Sequence, residues 1–190
     1  MTDDQREPNP SPALELRIER LDGPGAHAAV GALADVLIDC VEGGASVSFM
    51  LPISRATAVG FWTKVAEGTA MGSTILLVAS DTRGIVGTVH LQLALPENQP
   101  HRAEVAKLLV HRRARRQGVA EALMLAVEVA ARSAGRTLVV LDTVTGDAAE
   151  RLYERLGWQR AGVIPNYALY PDGRPCATTI FWKAIPAAGS

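Results

Sequence analysis

The chain has 190 residues, of which 48% are hydrophobic and 21% are charged, and this balance excludes a wholly disordered protein. The net charge of −1 argues against a globally basic nucleic-acid binder, although it leaves room for a local basic patch. Two cysteines, Cys40 and Cys176, are too few for a disulfide framework or a four-cysteine zinc site.

Residues 1–12 are acidic and proline-rich and lack the apolar centre of a signal peptide, so we expect a disordered tail there. No apolar run is expected to approach the roughly 20 residues that span a bilayer. We therefore expect residues 13–186 to form one folded domain of a cytoplasmic protein, with no membrane partner.

Hydrophobic spacing predicts the element order β-α-α-β-β-β-α-β-α-β-β. Gly23-Pro24-Gly25 is interpreted as the break that ends the first strand before a helix from Ala26, and Gly68 as the end of the second helix. Because a helix joins the sixth and eighth elements, those two strands are predicted to be parallel neighbours in a mixed α/β sheet. The predicted elements are strands at 14–18, 74–80, 85–93, 104–110, 137–141, 159–163 and 177–183, and helices at 26–41, from Ser54 to 67, over 120–131 and at 147–156.

The most informative stretch runs from Leu108 to Ala120, where a strand enters a basic turn and an amphipathic helix leaves it. The turn contains Arg-x-x-Gly-x-Ala, from Arg115 to Ala120. Gly118 and Ala120 would let a ligand approach the backbone, and the first N–H groups of a helix lack intrahelical partners. Together with the helix dipole and the arginines, these are the conditions for binding a phosphate or pyrophosphate. A solvated basic turn is the alternative interpretation.

This stretch resembles the acyl-CoA-binding motif of the GCN5-related N-acetyltransferase (GNAT) superfamily, Arg/Gln-x-x-Gly-x-Gly/Ala. The segment from Asp147 to Trp158 is similar to a second element of that superfamily, Ala-x-x-x-Tyr-Glu-Lys-x-Gly-Phe. The resemblance extends from Glu15 to Ile185 and is strongest between Glu104 and Trp158. It implies a GNAT fold, with a mostly antiparallel sheet and a central splayed pair of parallel strands.

Other segments are similar to the tabtoxin-resistance branch of the superfamily, which implies a resistance role. They are Gly43–Val47, His101–Val105, Leu141–Thr143 and Tyr167–Thr179. The chain departs from the usual pattern at Gly146, where many members have Asn, and at Arg112, where many have Pro. By the same resemblance, neither position supplies an acid or a base to the acetyl transfer that the superfamily catalyses.

The resemblance implies that acetyl-CoA is the co-substrate and lies in the gap between the splayed strands. Backbone N–H groups near Leu109 and Val110 would bind the acetyl carbonyl and the pantetheine arm, and those of the turn would hold the pyrophosphate. The residues implied for cofactor binding are Leu108, Leu109, Val110, Arg115, Arg116, Gln117, Gly118, Val119, Ala120, Glu121 and Tyr153. No metal is implied.

By the same resemblance, Tyr153 is the candidate general acid that protonates the CoA thiolate, and a packed aromatic is the alternative. An attacking ammonium must lose a proton, because it has no lone pair. Glu104, predicted to start one splayed strand, and Asp142, predicted to end the other, are the candidate bases, with solvated strand ends as the alternative. His101 and His111 are further candidates that are expected to lie in loops.

The implied activity is that of an acyltransferase, namely transfer of an acetyl group to a primary amine of a small molecule by direct attack in a ternary complex. No cysteine lies in the motif region to carry the acyl group. The resemblance suggests an amino-acid-like or antibiotic-like acceptor, and a homodimer is expected because dimers are common in the superfamily. Candidate acceptor residues are Glu42, Ser46, Ser48, Phe49, Trp62, Asn166, Tyr167 and Tyr170; for Trp62 a core position is the alternative.

Two other functions stay open. The first is a nucleic-acid-binding module, because Arg102, Lys107, Arg112, Arg113, Arg115 and Arg116 outnumber the single acid Glu104 in residues 101–118. The patch lacks interleaved aromatic residues, and the following helix is not basic. The second is a GNAT member that binds acyl-CoA without turnover, which the presence of Tyr153, Glu104 and Asp142 opposes.

Overall fold

The computed structural model describes residues 16–186, and the predicted tail at 1–12 lies outside that range. The predicted order of elements is confirmed, with one short 3-10 turn added at Arg112–Ala114. The strands are β1 (Arg17–Leu21), β2 (Thr74–Asp81), β3 (Gly84–Gln92), β4 (Arg102–Val110), β5 (Leu138–Val144), β6 (Gln159–Leu169) and β7 (Pro175–Ala184). The helices are α1 (Gly23–Glu42), α2 (Arg55–Ala70), α3 (Val119–Ser133) and α4 (Ala148–Arg155).

The seven strands form one sheet in the order β1-β2-β3-β4-β5-β7-β6. Neighbouring strands are antiparallel except β4 and β5, which are parallel and joined through α3. Their pairing runs from Arg102 opposite Leu138 to Glu104 opposite Val140, while β4 continues to Val110 and β5 to Val144. The two strands therefore separate towards their carboxyl ends, which confirms the predicted splayed pair.

Two predicted boundaries in the helices are wrong. Gly23-Pro24-Gly25 does follow the end of β1, but α1 starts there and not at Ala26, because the missing N–H of a proline costs nothing in the first turn of a helix. Asp22 caps this turn by accepting a hydrogen bond from Gly25 N–H at 2.7 Å. Gly68 lies inside α2, which continues to Ala70. A Cβ at this position would come within 2.9 Å of Thr74 Oγ1 at the start of β2. That glycine permits close packing rather than ending the helix.

Several strands are displaced from or longer than their predicted ranges. β1 lies at 17–21 rather than 14–18, and β4 begins at Arg102, so Glu104 is its third residue and not its first. β5 continues past Asp142 to Val144, and the hairpin of β6 and β7 reaches further towards its turn than predicted. Hydrogen bonds to neighbouring strands, which local spacing does not report, set these ends.

The sheet is covered on both faces. β2 shows this directly, because Ile75 and Leu77 pack into the cluster formed with α3 whereas Leu76 and Val78 pack into the cluster formed with α1 and α2. Contrary to expectation, α1 has the length and apolar character of a bilayer-spanning helix. Leu33 and Leu37 of α1 are completely buried in the core, and a core helix of this kind meets the same criterion.

Candidate active site

A cleft of about 1250 Å³ opens where β4 and β5 separate. Its walls are the carboxyl-terminal halves of these strands, the start of α3 and the first turns of α4. Residues 43–50, from the connection between α1 and α2, and residues 167–170, near the turn of the β6–β7 hairpin, complete it. The cleft therefore has a basic end at α3 and a second end, called the acceptor end below, where Ser46 Oγ donates to Leu169 O and Ser48 Oγ accepts from Lys107 Nζ.

The basic end is an open helix N-terminus. Gly118 is the N-cap of α3 with φ of +79°, and no side chain caps the helix. The first intrahelical bond runs from Ala122 N–H to Gly118 O at 3.0 Å, so the N–H groups of residues 119–121 have no partner within the helix. Arg115 and Arg116 line the same end. This arrangement suits a phosphate group.

Ten of the eleven residues implied for cofactor binding line this cleft, and Gln117 does not. The Gln117 side chain turns back and donates from Nε2 to Arg113 O at 3.2 Å. The ten that line it are Leu108, Leu109, Val110, Arg115, Arg116, Gly118, Val119, Ala120, Glu121 and Tyr153.

Val110 presents a hydrogen-bond donor to the gap between the splayed strands. His111 N–H donates to Val86 O on β3 at 2.8 Å. Because successive residues of a strand direct their N–H groups to opposite edges, Val110 N–H faces the other way, towards β5. Val110 O agrees with this direction, since it accepts from Arg115 Nε at 3.2 Å and not from β3.

Tyr153 reaches the cleft from α4 and is only 5% exposed. Its ring packs against Trp158 and Phe181, with centroid distances of 6.0 and 5.8 Å. Burial raises the Tyr153 pKa, and the negative charges of Asp142 and Asp147 raise it further. The phenol is therefore both a packed core residue and a protonated hydrogen-bond donor at the cleft at neutral pH.

Glu150, which sequence reasoning missed, holds the start of α4 in place. Its carboxylate accepts hydrogen bonds from Gly146 N–H and from Thr179 Oγ1, the latter at 2.9 Å. The Gly146 bond, together with Thr179 and nearby arginines, lowers the Glu150 pKa against the opposing effect of desolvation. Asp147 caps the helix and Glu150 stands three residues later, so the capping-box spacing was the available signal.

The two candidate carboxylates lie on the same face of the sheet. Glu104 is paired with Val140, and Asp142 is two residues further along β5, so the period of two gives them a common side. Asp142 is exposed and lines the cleft, whereas Glu104 does not line it and lies 3.6 Å from Arg102. Asp142 is thus the carboxylate nearer to Tyr153.

Lys107 also lines the cleft, and sequence reasoning assigned it only to a basic patch. It lies in a β-bulge of β4. From the pair His90–Ala106 to the pair Thr88–Leu109, β4 advances by three residues while β3 advances by two. The φ of Lys107 is +53°, a left-handed conformation that is uncommon outside glycine. This bulge depends on the register with β3, which the local sequence does not reveal.

Five of the eight candidate acceptor residues line the cleft: Ser46, Ser48, Phe49, Tyr167 and Tyr170. Glu42, Asn166 and Trp62 do not. Glu42 lies 3.9 Å from Arg112, and Trp62 is completely buried in the core, as the alternative interpretation predicted.

Neither candidate histidine faces the cleft. His101 is exposed before β4, and His111 lies 3.5 Å from Asp39 while accepting from Arg113 N–H at 3.2 Å. The basic patch is also partly neutralised. Arg112 pairs with Asp39 at 2.8 Å, and Arg113 pairs with Asp81. These ion pairs oppose a nucleic-acid interface.

Residues 72–160 match the family model of the acetyltransferase (GNAT) domain. An N-acetyltransferase from Staphylococcus aureus Mu50 superposes with a TM-score of 0.75 at 15% identity, covering 90% of this chain and 99% of that one. The chain has a GNAT fold. The matched range includes the open helix N-terminus, the splayed strands and Tyr153.

Two further solved structures share this GNAT fold. A protein from Salmonella typhimurium, described as an acetyltransferase with its cofactor acetyl-CoA, gives a TM-score of 0.74 at 16% identity and covers 92% of this chain and 96% of its own. A ribosomal-protein-alanine N-acetyltransferase from Brucella melitensis gives 0.72 at 21% identity and covers 88% and 99%. At these identities the likeness establishes the fold alone.

Proposed function

We propose that the chain is an acetyl-CoA-dependent N-acetyltransferase that acts on a primary amine of a small molecule. The observation that carries the proposal is the continuity of the cleft. It runs from the uncapped start of α3, past Val110 N–H, to Tyr153 and Asp142. A donor for a phosphate, a donor for a carbonyl oxygen, an acid and a carboxylate therefore line one cavity.

The residues of the cleft fit acetyl-CoA. Arg115, Arg116 and the N–H groups of residues 119–121 would hold its pyrophosphate, since they combine fixed donors with positive charge. The cavity of about 1250 Å³ exceeds the roughly 300–1,000 Å³ of a typical small-molecule pocket, which leaves room for an acceptor as well. The Salmonella typhimurium protein, which shares the fold, is described with acetyl-CoA as its cofactor.

Acetyl-CoA supplies an activated thioester, so the protein has to position the amine, support charge on oxygen and move two protons. Val110 N–H is directed to donate to the carbonyl oxygen as charge develops there. Asp142, with Glu104 behind it, attracts the acceptor ammonium and takes one proton, directly or through water. Tyr153 gives a proton to the departing sulfur, and the second proton that the attacking nitrogen loses replaces it on the phenol. The C–N bond forms first, which places charge on the oxygen, and the C–S bond breaks when that charge returns to the carbonyl.

Direct attack is favoured over an acyl-cysteine route, although Cys40 does line the cleft. Sequence reasoning placed no cysteine near the motif, but α1 brings Cys40 Sγ to 3.5 Å from Val110 O. Burial raises the Cys40 pKa, so this thiol is largely protonated at neutral pH and is a weak nucleophile. A ternary complex of both substrates is therefore the proposed arrangement.

For the acceptor, we propose an amino-acid-like or β-lactam-like small molecule, met in the cytoplasm. This rests on the similarity of residues 43–47, 101–105, 141–143 and 167–179 to the tabtoxin-resistance branch. Membership of that branch, and a resistance role, are part of the same proposal.

The test has two stages. First, acetyl-CoA, CoA and ATP are compared by thermal shift, because a ligand at 100 times its Kd stabilises by about 2.7 kcal/mol, or roughly 5–10 °C here. Second, release of CoA thiol is followed with a panel of primary amines. We expect a shift with acetyl-CoA and CoA but not ATP, followed by turnover. Failure of acetyl-CoA to stabilise the protein would overturn the proposal, and binding without turnover would leave a binding protein.

A further inference from the structure

The acceptor end of the cleft contains a cation that the proposed reaction does not use. Lys107 Nζ donates to Ser48 Oγ at 3.1 Å and lies 5.7 Å from the centre of the Phe61 ring. The lysine is half-buried and lines the cleft close to Phe49 and Met50. Its direct contacts are thus one neutral hydroxyl and one aromatic ring, while His90, Asp142 and Glu104 lie near enough to feel its charge.

Within residues 16–186, no carboxylate forms an ion pair with Lys107. Desolvation lowers its pKa, and the more distant charges of Asp142 and Glu104 offset only part of that effect. Removing a cation from water without a direct anionic partner is unfavourable. An anion brought into the cleft would relieve that cost.

The backbone of Lys107 adopts an energetically unfavourable conformation that holds the side chain there. A residue with a side chain seldom adopts φ of +53°, and such conformations concentrate at functional sites. The bulge adds one residue to β4 at this point, and bulges commonly redirect a side chain next to an active site. The bulge in the sheet therefore directs the Lys107 side chain into the acceptor end of the cleft.

Around the acceptor end lie one positive side chain, Lys107, and two negative ones, Asp142 and Glu104, at separate positions. The negative charge of Asp142 acts on both Tyr153 and Lys107, so this carboxylate lies near the reacting centre and near the lysine. With one positive and two negative side chains, the local charge favours an ammonium near the carboxylates and a single negative charge near Lys107. A doubly charged phosphate would meet repulsion from Asp142 and Glu104.

We propose that Lys107 binds a carboxylate of the acceptor, so that the substrate is a zwitterion carrying both a primary amine and a carboxylate. The inference rests on the proposed acetyltransferase function and adds the residue that recognises the acceptor's negative charge. Lys107 is then a specificity residue, with Ser48 orienting its ammonium and Phe61 supporting its charge.

The experiment compares matched acceptors in the acetyl-CoA thiol-release assay. One series contains free α- and ω-amino acids, and the second contains their amides, which keep the amine and the size but lose the charge. We expect the wild-type kcat/KM to favour the acids by roughly 10- to 100-fold, as for a hydrogen bond between charged groups. Lys107→Met should erase this preference, Lys107→Arg should retain part of it, and Lys64→Met on the exposed face of α2 should leave it unchanged.

Each other outcome overturns the inference. Equal use of acids and amides by the wild type would show that the carboxylate is not recognised, while the acetyltransferase function would stand. An equal loss of kcat for both series in Lys107→Met would make the lysine a base or a structural support. Absence of thiol release with every amine, despite acetyl-CoA binding, would remove the proposed transferase function together with the inference.

Discussion

Thr179 Oγ1 donates to Glu150 Oε1 over 2.9 Å and so connects β7 to the first turn of α4. The second oxygen of the same carboxylate accepts from Gly146 N–H in the loop that precedes the helix. One buried carboxylate therefore fixes the loop, the helix and the sheet relative to each other. Tyr153 is carried by that helix, one turn further on.

Replacing Glu150 should destabilise the protein and change its response to acid. Glu150→Ala removes the acceptor of the Gly146 N–H and one of the two partners of the buried Thr179 hydroxyl, which also lies 2.9 Å from Thr145 Oγ1, so we expect a loss of about 1–3 kcal/mol in all. Because the folded pKa of Glu150 is lowered from 4.5, its contribution is present above that pH and is lost as the pH falls through the folded value. Thermal melts between pH 3 and 7 should show a weaker acid-dependent loss of Tm in Glu150→Gln than in the wild type. An identical pH dependence would contradict the assignment.

Removing the Tyr153 hydroxyl should separate catalysis from binding. In Tyr153→Phe the ring still packs against Trp158 and Phe181, but the proton donor to the sulfur is absent. We expect kcat to fall by about 100-fold or more, as for loss of a general acid, while the acetyl-CoA thermal shift persists. Thiol-release kinetics and thermal shift measure the two effects. Unchanged kcat would make Tyr153 a packing residue only.

Charge reversal at the open end of α3 should weaken acetyl-CoA binding. Arg116 is exposed, lines the cleft and is not part of the Asp39 and Asp81 ion pairs. Arg116→Glu should raise the Kd for acetyl-CoA by roughly 10-fold or more, because a charge-assisted contact is replaced by repulsion. Lys64→Glu, an equal change of charge on exposed α2 surface, is the control. Titration calorimetry distinguishes them, and equal affinities would place the pyrophosphate elsewhere.

The same substitution should have opposite effects at two glycines. At Gly87 a Cβ would lie 3.0 Å from both Leu109 O and Val119 Cγ1, where β3, β4 and α3 meet. Gly87→Ala should cost about 1–3 kcal/mol, a fall in Tm of several degrees. Gly60 lies on the exposed side of α2 with nothing near its Cβ position, so Gly60→Ala should gain about 0.5–1 kcal/mol. Differential scanning calorimetry measures both changes in stability. If the two variants were both stabilised or both destabilised, the packing argument would be contradicted.

The element order and the parallel pair could be predicted because hydrophobic period and chain connectivity encode them locally. The basic turn before α3 was also visible, since arginines, a glycine and an amphipathic helix are contiguous in the chain. Trp62 shows the limit of the method. Its helical spacing was compatible with the core or with the acceptor end, and only tertiary packing places it in the core.

The residues that sequence reasoning missed all depend on register or on distant partners. Lys107 faces the cleft because β4 slips against β3, and Glu150 is buried because Thr179 approaches from β7. Cys40 reaches the cleft from α1, which is far from the motif in the chain. None of these relationships has a periodic signal, whereas the capping pair of Asp147 and Glu150 left one that could have been used.

The register of β6 against β7 shifts twice, once between Arg160 and Gly162 and again between Ile164 and Ala168. Pro165 and the left-handed Asn166 lie within the second shift. β6 is the last strand of the sheet, and the apolar side chains of Val163 and Ile164 are exposed along it. A straight strand with those residues would offer an unpaired ladder on which further chains could stack. The two register shifts interrupt the regular spacing of N–H and C=O groups along this edge strand. The irregular edge therefore opposes aggregation through strand pairing.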